Sequence, residues 1–194
     1  VLIYPNAFGQ LLGVSPEVPY FDYDSGGTQS FNALDGNFTI TATPTFFSED
    51  DITLNQIFPL TVAPSFTMSI HLDTACGLTG GDPGGDDLTV IGDVDLNADF
   101  VPEYSGTLLT AEIIEFGIGG NVSGTGLYDA KFAVTGGELV TAGYYAVGDK
   151  VGLTLNSENS SFNSDCTVDY SGGAKGRLGL LPEVEPPEKC YDIK

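Results

Sequence analysis

The chain has no tryptophan, a single histidine (His71), a single methionine (Met68), and no lysine or arginine anywhere in its first 130 residues. Each shortage removes a class of function. Six basic residues, all at or beyond Lys131, cannot neutralise a phosphate backbone, so a nucleic-acid partner is not expected. With one histidine, any Ser-His or Cys-His nucleophile pair would depend wholly on His71. The hydrolase elbow, the His-Glu-x-x-His zinc helix, the phosphate-binding Gly-Lys loop and the Ser-x-x-Lys pattern are all missing. A carboxylate pair acting on glycosidic bonds stays open, but such clefts favour aromatic platforms and there is no Trp. We therefore expect no enzyme. No run of 18 apolar residues exists to cross a membrane as a helix, and a chain beginning at Val1 reads as a processed, exported form.

Acid is what the chain has in excess. Formal charge is -21 although only 17% of its 194 residues are charged, against about 25% in average domains. Few carboxylates can meet a basic partner, so solvent, salt or bound cations must relieve the repulsion. The acid is densest from Gly80 to Phe100, where a glycine-rich loop with Asp82, Asp86 and Asp87 runs into alternating residues. Period two puts Val94, Leu96, Ala98 and Phe100 on one face and Asp93, Asp95, Asn97 and Asp99 on the other, a strand with an oxygen-lined outer face. Asp93-x-Asp95-x-Asn97-x-Asp99 begins like an EF-hand loop, then departs: Ala98 stands where the glycine belongs and Tyr104 where the bidentate glutamate belongs. What remains is a cluster of hard oxygen ligands, Asp86, Asp87, Asp93, Asp95, Asn97 and Asp99, expected to hold Ca2+. His71 beside Asp73 is expected to be a surface histidine and not a ligand.

The pattern elsewhere is that of strands. Asn37–Thr43 alternates Phe38, Ile40 and Ala42 with threonines, and Phe66, Met68, Ile70 and Leu72 alternate with Thr67, Ser69, His71 and Asp73. Turn residues recur about every ten positions, and no stretch has an amphipathic helical period. The expectation is an all-β antiparallel sandwich, jelly-roll-like, of about ten to twelve short strands. Residues 1–19 read as an N-terminal strand segment, kept as an edge or donated to a neighbour; 20–181 as the sandwich; 182–194 as a proline-rich acidic tail.

Three cysteines, Cys76, Cys166 and Cys190, fit no metal or redox spacing. In an oxidising compartment one pair closes; Cys166 with Cys190 would tie down the tail and is the preferred pairing, the third thiol being buried or intermolecular. Tyr20, Tyr23, Tyr144 and Tyr145 are candidate stacking surfaces for sugar rings. Asn37, Asn121 and Asn159 open glycosylation sequons.

Three phrases carry a likeness to known proteins: Gly106-Thr-Leu-Leu-Thr-Ala-Glu-Ile-Ile-Glu-Phe-Gly, Phe132-Ala-Val-Thr-Gly-Gly-Glu-Leu, and Leu153-Thr-Leu-Asn-Ser-Glu-Asn-Ser-Ser-Phe followed by Ser171-Gly-Gly-Ala-Lys-Gly. Over residues 30–180 the chain resembles exported bacterial proteins of the PEP-CTERM type, which have β-rich ectodomains. The resemblance implies an extracellular or cell-surface role without catalysis. The chain departs from it in ending at Lys194 with no Pro-Glu-Pro motif, apolar span or basic tail. The functional expectation is a secreted structural or adhesive protein, calcium-stabilised and assembling with copies of itself. An extracellular glycan is the alternative partner, for a carbohydrate-binding module or a glycan-acting enzyme.

Overall fold

Alternation is converted into strands where it was cleanest. In β2 (Asn37–Ala42) Phe38, Ile40 and Ala42 point into the core, and in β5 (Ser65–Leu72) Phe66, Met68, Ile70 and Leu72 do so. The structure, a computed structural model, describes residues 10–182 apart from 51, 54, 59 and 123. Its elements are β1 (Glu17–Asn32), β2, β3 (Pro44–Ser48), β4 (Asn55–Phe58), β5, β6 (Leu78–Gly81), β7 (Leu88–Val94), β8 (Tyr104–Val122), β9 (Thr125–Gly136), the single turn α1 (Glu138–Thr141), β10 (Lys150–Ser157) and β11 (Tyr170–Leu180).

All pairings are antiparallel, and the chain runs as a meander that closes on itself. β11 pairs with β1 from Glu17↔Leu180 to Phe31↔Tyr170, so the last strand meets the first. Eleven strands fill eight positions because three positions are shared end to end. β2 and β3 pair with the two halves of β1. β4 and β5 pair with β3 and β2 respectively, and both pair with β7. β6 pairs with β5 beyond the reach of β7, so β6 and β7 form one strand interrupted by residues 82–87. The fold is thus all-β, as expected, but a closed barrel takes the place of the sandwich. Turn spacing is the same for both architectures; the difference lies in one long-range pairing, β1 with β11, that no local pattern encodes.

The barrel is filled with side chains, as an eight-stranded barrel allows. Phe21, Phe31, Phe38, Phe47, Phe66 and Phe132 anchor the core, joined by aliphatic residues from every long strand. One end is closed by α1 and residues 143–149, through Leu139 and Tyr145. The other is closed by a strap, residues 158–169, whose Phe162 and Cys166 are buried.

Cys166 bonds to Cys76, which lies in the β5–β6 turn. This replaces the expected pairing with Cys190: the barrel brings the strap over the β5–β6 turn, and Cys76 lies within bonding reach across 90 residues of sequence. Cys190 and the tail from residue 183 lie outside the described residues, as do residues 1–9 of the expected N-terminal strand. Residues 10–16 form no strand, and β1 already begins at Glu17. The segment lies on the outer face of its own barrel, where the amides of Leu12, Gly13 and Val14 donate to the Asp129 carboxylate at 2.9, 2.7 and 3.3 Å.

A disulfide closing so long a loop should stabilise by about 4 kcal/mol through chain entropy. The Cys76→Ser/Cys166→Ser variant is expected to lose about 2–5 kcal/mol in guanidinium unfolding followed by tyrosine near-UV dichroism. An unchanged midpoint would show that the strap is held without its staple.

Candidate functional site

The acidic stretch was the leading candidate, and the structure divides it. Asp86 and Asp87 precede β7, whereas Asp93, Asp95, Asn97 and Asp99 lie at or beyond its far end, roughly 20 Å away at the usual rise per residue. Val94 points inward and Asp93 outward, as period two requires. Outward, however, does not mean solvated. Residues 60–62 fold back over this part of the wall, and Asp93 is wholly buried beneath them. Its carboxylate accepts from the Thr61 and Val62 amides at 2.5 and 3.0 Å, and from the hydroxyls of Thr61 and Ser105 at 2.8 and 2.5 Å. Burial alone would raise its pKa; those bonds from Ser105, Thr61 and Val62 override it and hold the group down at about 2.

After Val94 the strand stops. The expected face of Leu96, Ala98 and Phe100 does not form, and Phe100 is 73% exposed. Short acidic side chains compete with a ladder by bonding their own backbone. Asp95 accepts from the amides of Asn97, Ala98 and Phe100, Asn97 from Asp99, and Asp99 from Val101. Glu103 closes the loop by accepting from the Leu96 amide and the Asn97 side chain. Asp87 accepts from the amides of Asp82 at 2.6 Å and Ile113 at 2.8 Å, and Asp86 from the Thr135 hydroxyl. Glu112 stands beside this pair, its pKa raised by desolvation and then by the Asp87 and Asp86 carboxylates. The six proposed calcium ligands therefore do not converge, and four of their carboxylates already accept backbone amides. Among the described residues no group of three or more His, Cys, Asp or Glu side chains is placed to hold a metal ion.

The four tyrosines also fall apart as a sugar platform. Tyr20 is buried beneath Arg177, whose guanidinium stands 3.6 Å above the ring while bonding Asp22 in bidentate fashion. Tyr23 stacks on Phe66 inside the barrel and donates to the Thr154 carbonyl; Gly176 is required there, since a Cβ would collide with that carbonyl and the Tyr23 hydroxyl. Tyr145 is buried and donates to the Pro19 carbonyl. Tyr144 alone is half-exposed, and its hydroxyl donates to Glu49. His71 is half-buried, not fully exposed.

A different cluster forms inside the barrel under the strap. Phe31, Phe38, Phe116, Tyr128, Phe162 and Tyr170 make a continuous set of ring contacts, with centroids 4.7–6.2 Å apart. Set into it are Gln29, Ser157 and Ser160, all buried. The Gln29 amide nitrogen donates to the Ser157 hydroxyl at 3.2 Å. The Gln29 carbonyl oxygen and the Tyr128 hydroxyl have no hydrogen-bond partner among the described residues, although the Ser160 side chain stands near enough to Tyr128 to offset in part the effect of burial on its phenol. Gly172 makes room for the cluster, since a Cβ there would run into the Ser157 hydroxyl and the Ser160 backbone. Burial pushes the Tyr128 and Tyr170 phenols well up from their ordinary value, so both stay neutral donors.

Neither a protein-family model, a curated protein nor a solved structure matches the chain. The buried cluster carried no local signal in the sequence. Gln29, Tyr128, Ser157 and Tyr170 sit on four different strands and meet only through closure.

Asp93→Ala should cost about 3 kcal/mol, because it strands two amides and two hydroxyls. A depressed folded pKa stabilises fully above the unfolded value of about 3.9 and is lost on acidification. The wild type should thus lose this contribution between about pH 4 and the folded pKa of about 2, and the variant should show a shallower acid limb in urea titrations at stepped pH.

Proposed function

We propose that the protein is an exported, non-catalytic barrel that binds a small, largely aromatic or apolar molecule at the polar cluster beneath the strap, with Phe162 of the strap giving up its place among the rings to the ligand. The observation that carries this reading is the pair of unsatisfied groups, Gln29 Oε1 and Tyr128 OH, buried within aromatic walls. An unmet buried polar atom costs about 1–3 kcal/mol, which a ligand donating to Gln29 and bonding Tyr128 would recover. Binding is favoured over turnover because the cluster offers neutral amide, hydroxyl and phenol groups, none suited to accepting a proton near neutral pH. Export is supported by the Cys76–Cys166 bond, which fits an oxidising compartment.

A structural or adhesive surface role, the reading that the PEP-CTERM resemblance favours, is kept as a second one. It is supported by apolar side chains exposed on loops at the α1 end.

The test is thermal melting and near-UV dichroism against a panel of benzamide, benzyl alcohol and indole. Saturation at about 100 times Kd should add about 2.7 kcal/mol. Gln29→Leu/Tyr128→Phe should melt at or above the wild-type temperature when unliganded, since it removes the unmet groups, and should lose the ligand-induced shift. A shift that survives in the double variant, or no shift with any member of the panel, would sink the proposal.

A further inference from the structure

The α1 end of the barrel presents an unusual rim. Ile52 on the β3–β4 loop is 90% exposed, Phe100 and Val101 on the β7–β8 loop 73% and 64%, and Val147 after α1 69%. Three separate loops thus hold large apolar side chains in water. They are drawn around one residue: Tyr144 donates from its hydroxyl to Glu49 on the first loop at 2.8 Å and sets its ring edge-on to Tyr104 at the foot of the second, 5.7 Å between centroids. The second loop is braced by the bonds that its own amides donate to Asp95 and Glu103. The tips are therefore displayed on a set scaffold, the condition under which an exposed apolar patch serves recognition.

We propose that this rim is a docking surface for a basic, amphipathic polypeptide segment of another protein. Charge selects the occupant. Glu49 and Asp50 share the β3–β4 loop with Ile52, Asp99 and Glu103 share the β7–β8 loop with Phe100 and Val101, and Glu138 opens α1, against Lys150 at the foot of β10. An anionic membrane would be repelled by those carboxylates. A second copy would bring a net charge of -21 of its own, and its Lys131, Lys175 and Arg177 are already paired with Glu115, Glu158 and Asp22. A segment alternating Lys or Arg with Leu or Phe would meet both the apolar tips and the acid between them.

Fluorescence anisotropy on the full chain, using a labelled 18-residue Lys/Leu amphipathic peptide as the probe, reads this directly. Phe100→Ser/Val101→Ser and, on the other two loops, Ile52→Ser/Val147→Ser should each weaken binding at least about tenfold. Leu34→Ser, an exposed apolar residue at the opposite end, should leave it unchanged. Raising salt to about 0.5 M should weaken the complex, and a Glu/Leu peptide of the same pattern should not bind. The proposal is overturned if the peptide fails to bind, if Leu34→Ser weakens binding as much as the rim variants do, or if both rim variants bind like wild type. Sedimentation with phosphatidylglycerol vesicles, or rim-dependent self-association in analytical ultracentrifugation, would equally overturn it by naming a different occupant.

Discussion

The pairing of β1 with β11 is the contact on which the rest depends. Ten register pairs link the first strand to the last and turn a meander into a closed wall. Closure puts Phe31 on Tyr170 and aligns Gln29 with Ser157, so it creates the buried aromatic and polar cluster as well as the core. It also brings the strap across the barrel mouth to where Cys166 can reach Cys76. A sheet left open at that seam would expose two long edges, a hazard that barrels avoid.

A second constraint is the shortage of base. The protein does not answer it by scattering all its carboxylates in solvent. Asp87, Asp93, Asp95 and Asp129 are almost fully buried, and each accepts at least one main-chain amide. Each bond set pins a loop or segment to the wall: residues 82–87, 60–62, 96–100 and 10–14. Ionised acceptors make hydrogen bonds about twice as strong as neutral ones, so a carboxylate can replace a missing ion pair when the donors are fixed amides. Four of the buried carboxylates thus work as internal scaffolding.

The two ends of the barrel differ in kind. At the strap end polar groups are hidden within rings, and at the α1 end apolar groups stand in water among carboxylates. The packed core lies between them.

How far residues predicted structure follows from the range of the interactions. Local alternation was enough for β2 and β5, because one buried face with period two needs no knowledge of distant partners. It was enough for Val94 in and Asp93 out as well, but not for the burial of Asp93, which depends on a loop 32 residues away in sequence folding back. It failed beyond Val94, where Asp95 and Asn97 turn their side chains onto their own backbone. Composition and short-range periodicity by themselves determined the all-β class and the need to manage acid without base, since these rest on residue counts and local alternation. Only the tertiary structure decided barrel over sandwich, Cys76 over Cys190, and the meeting of Gln29, Tyr128, Ser157 and Tyr170. Each of those turns on contacts between residues 90 or more apart or on separate strands, and loop closure across such distances is set by the whole fold's free energy, which no short window of sequence contains.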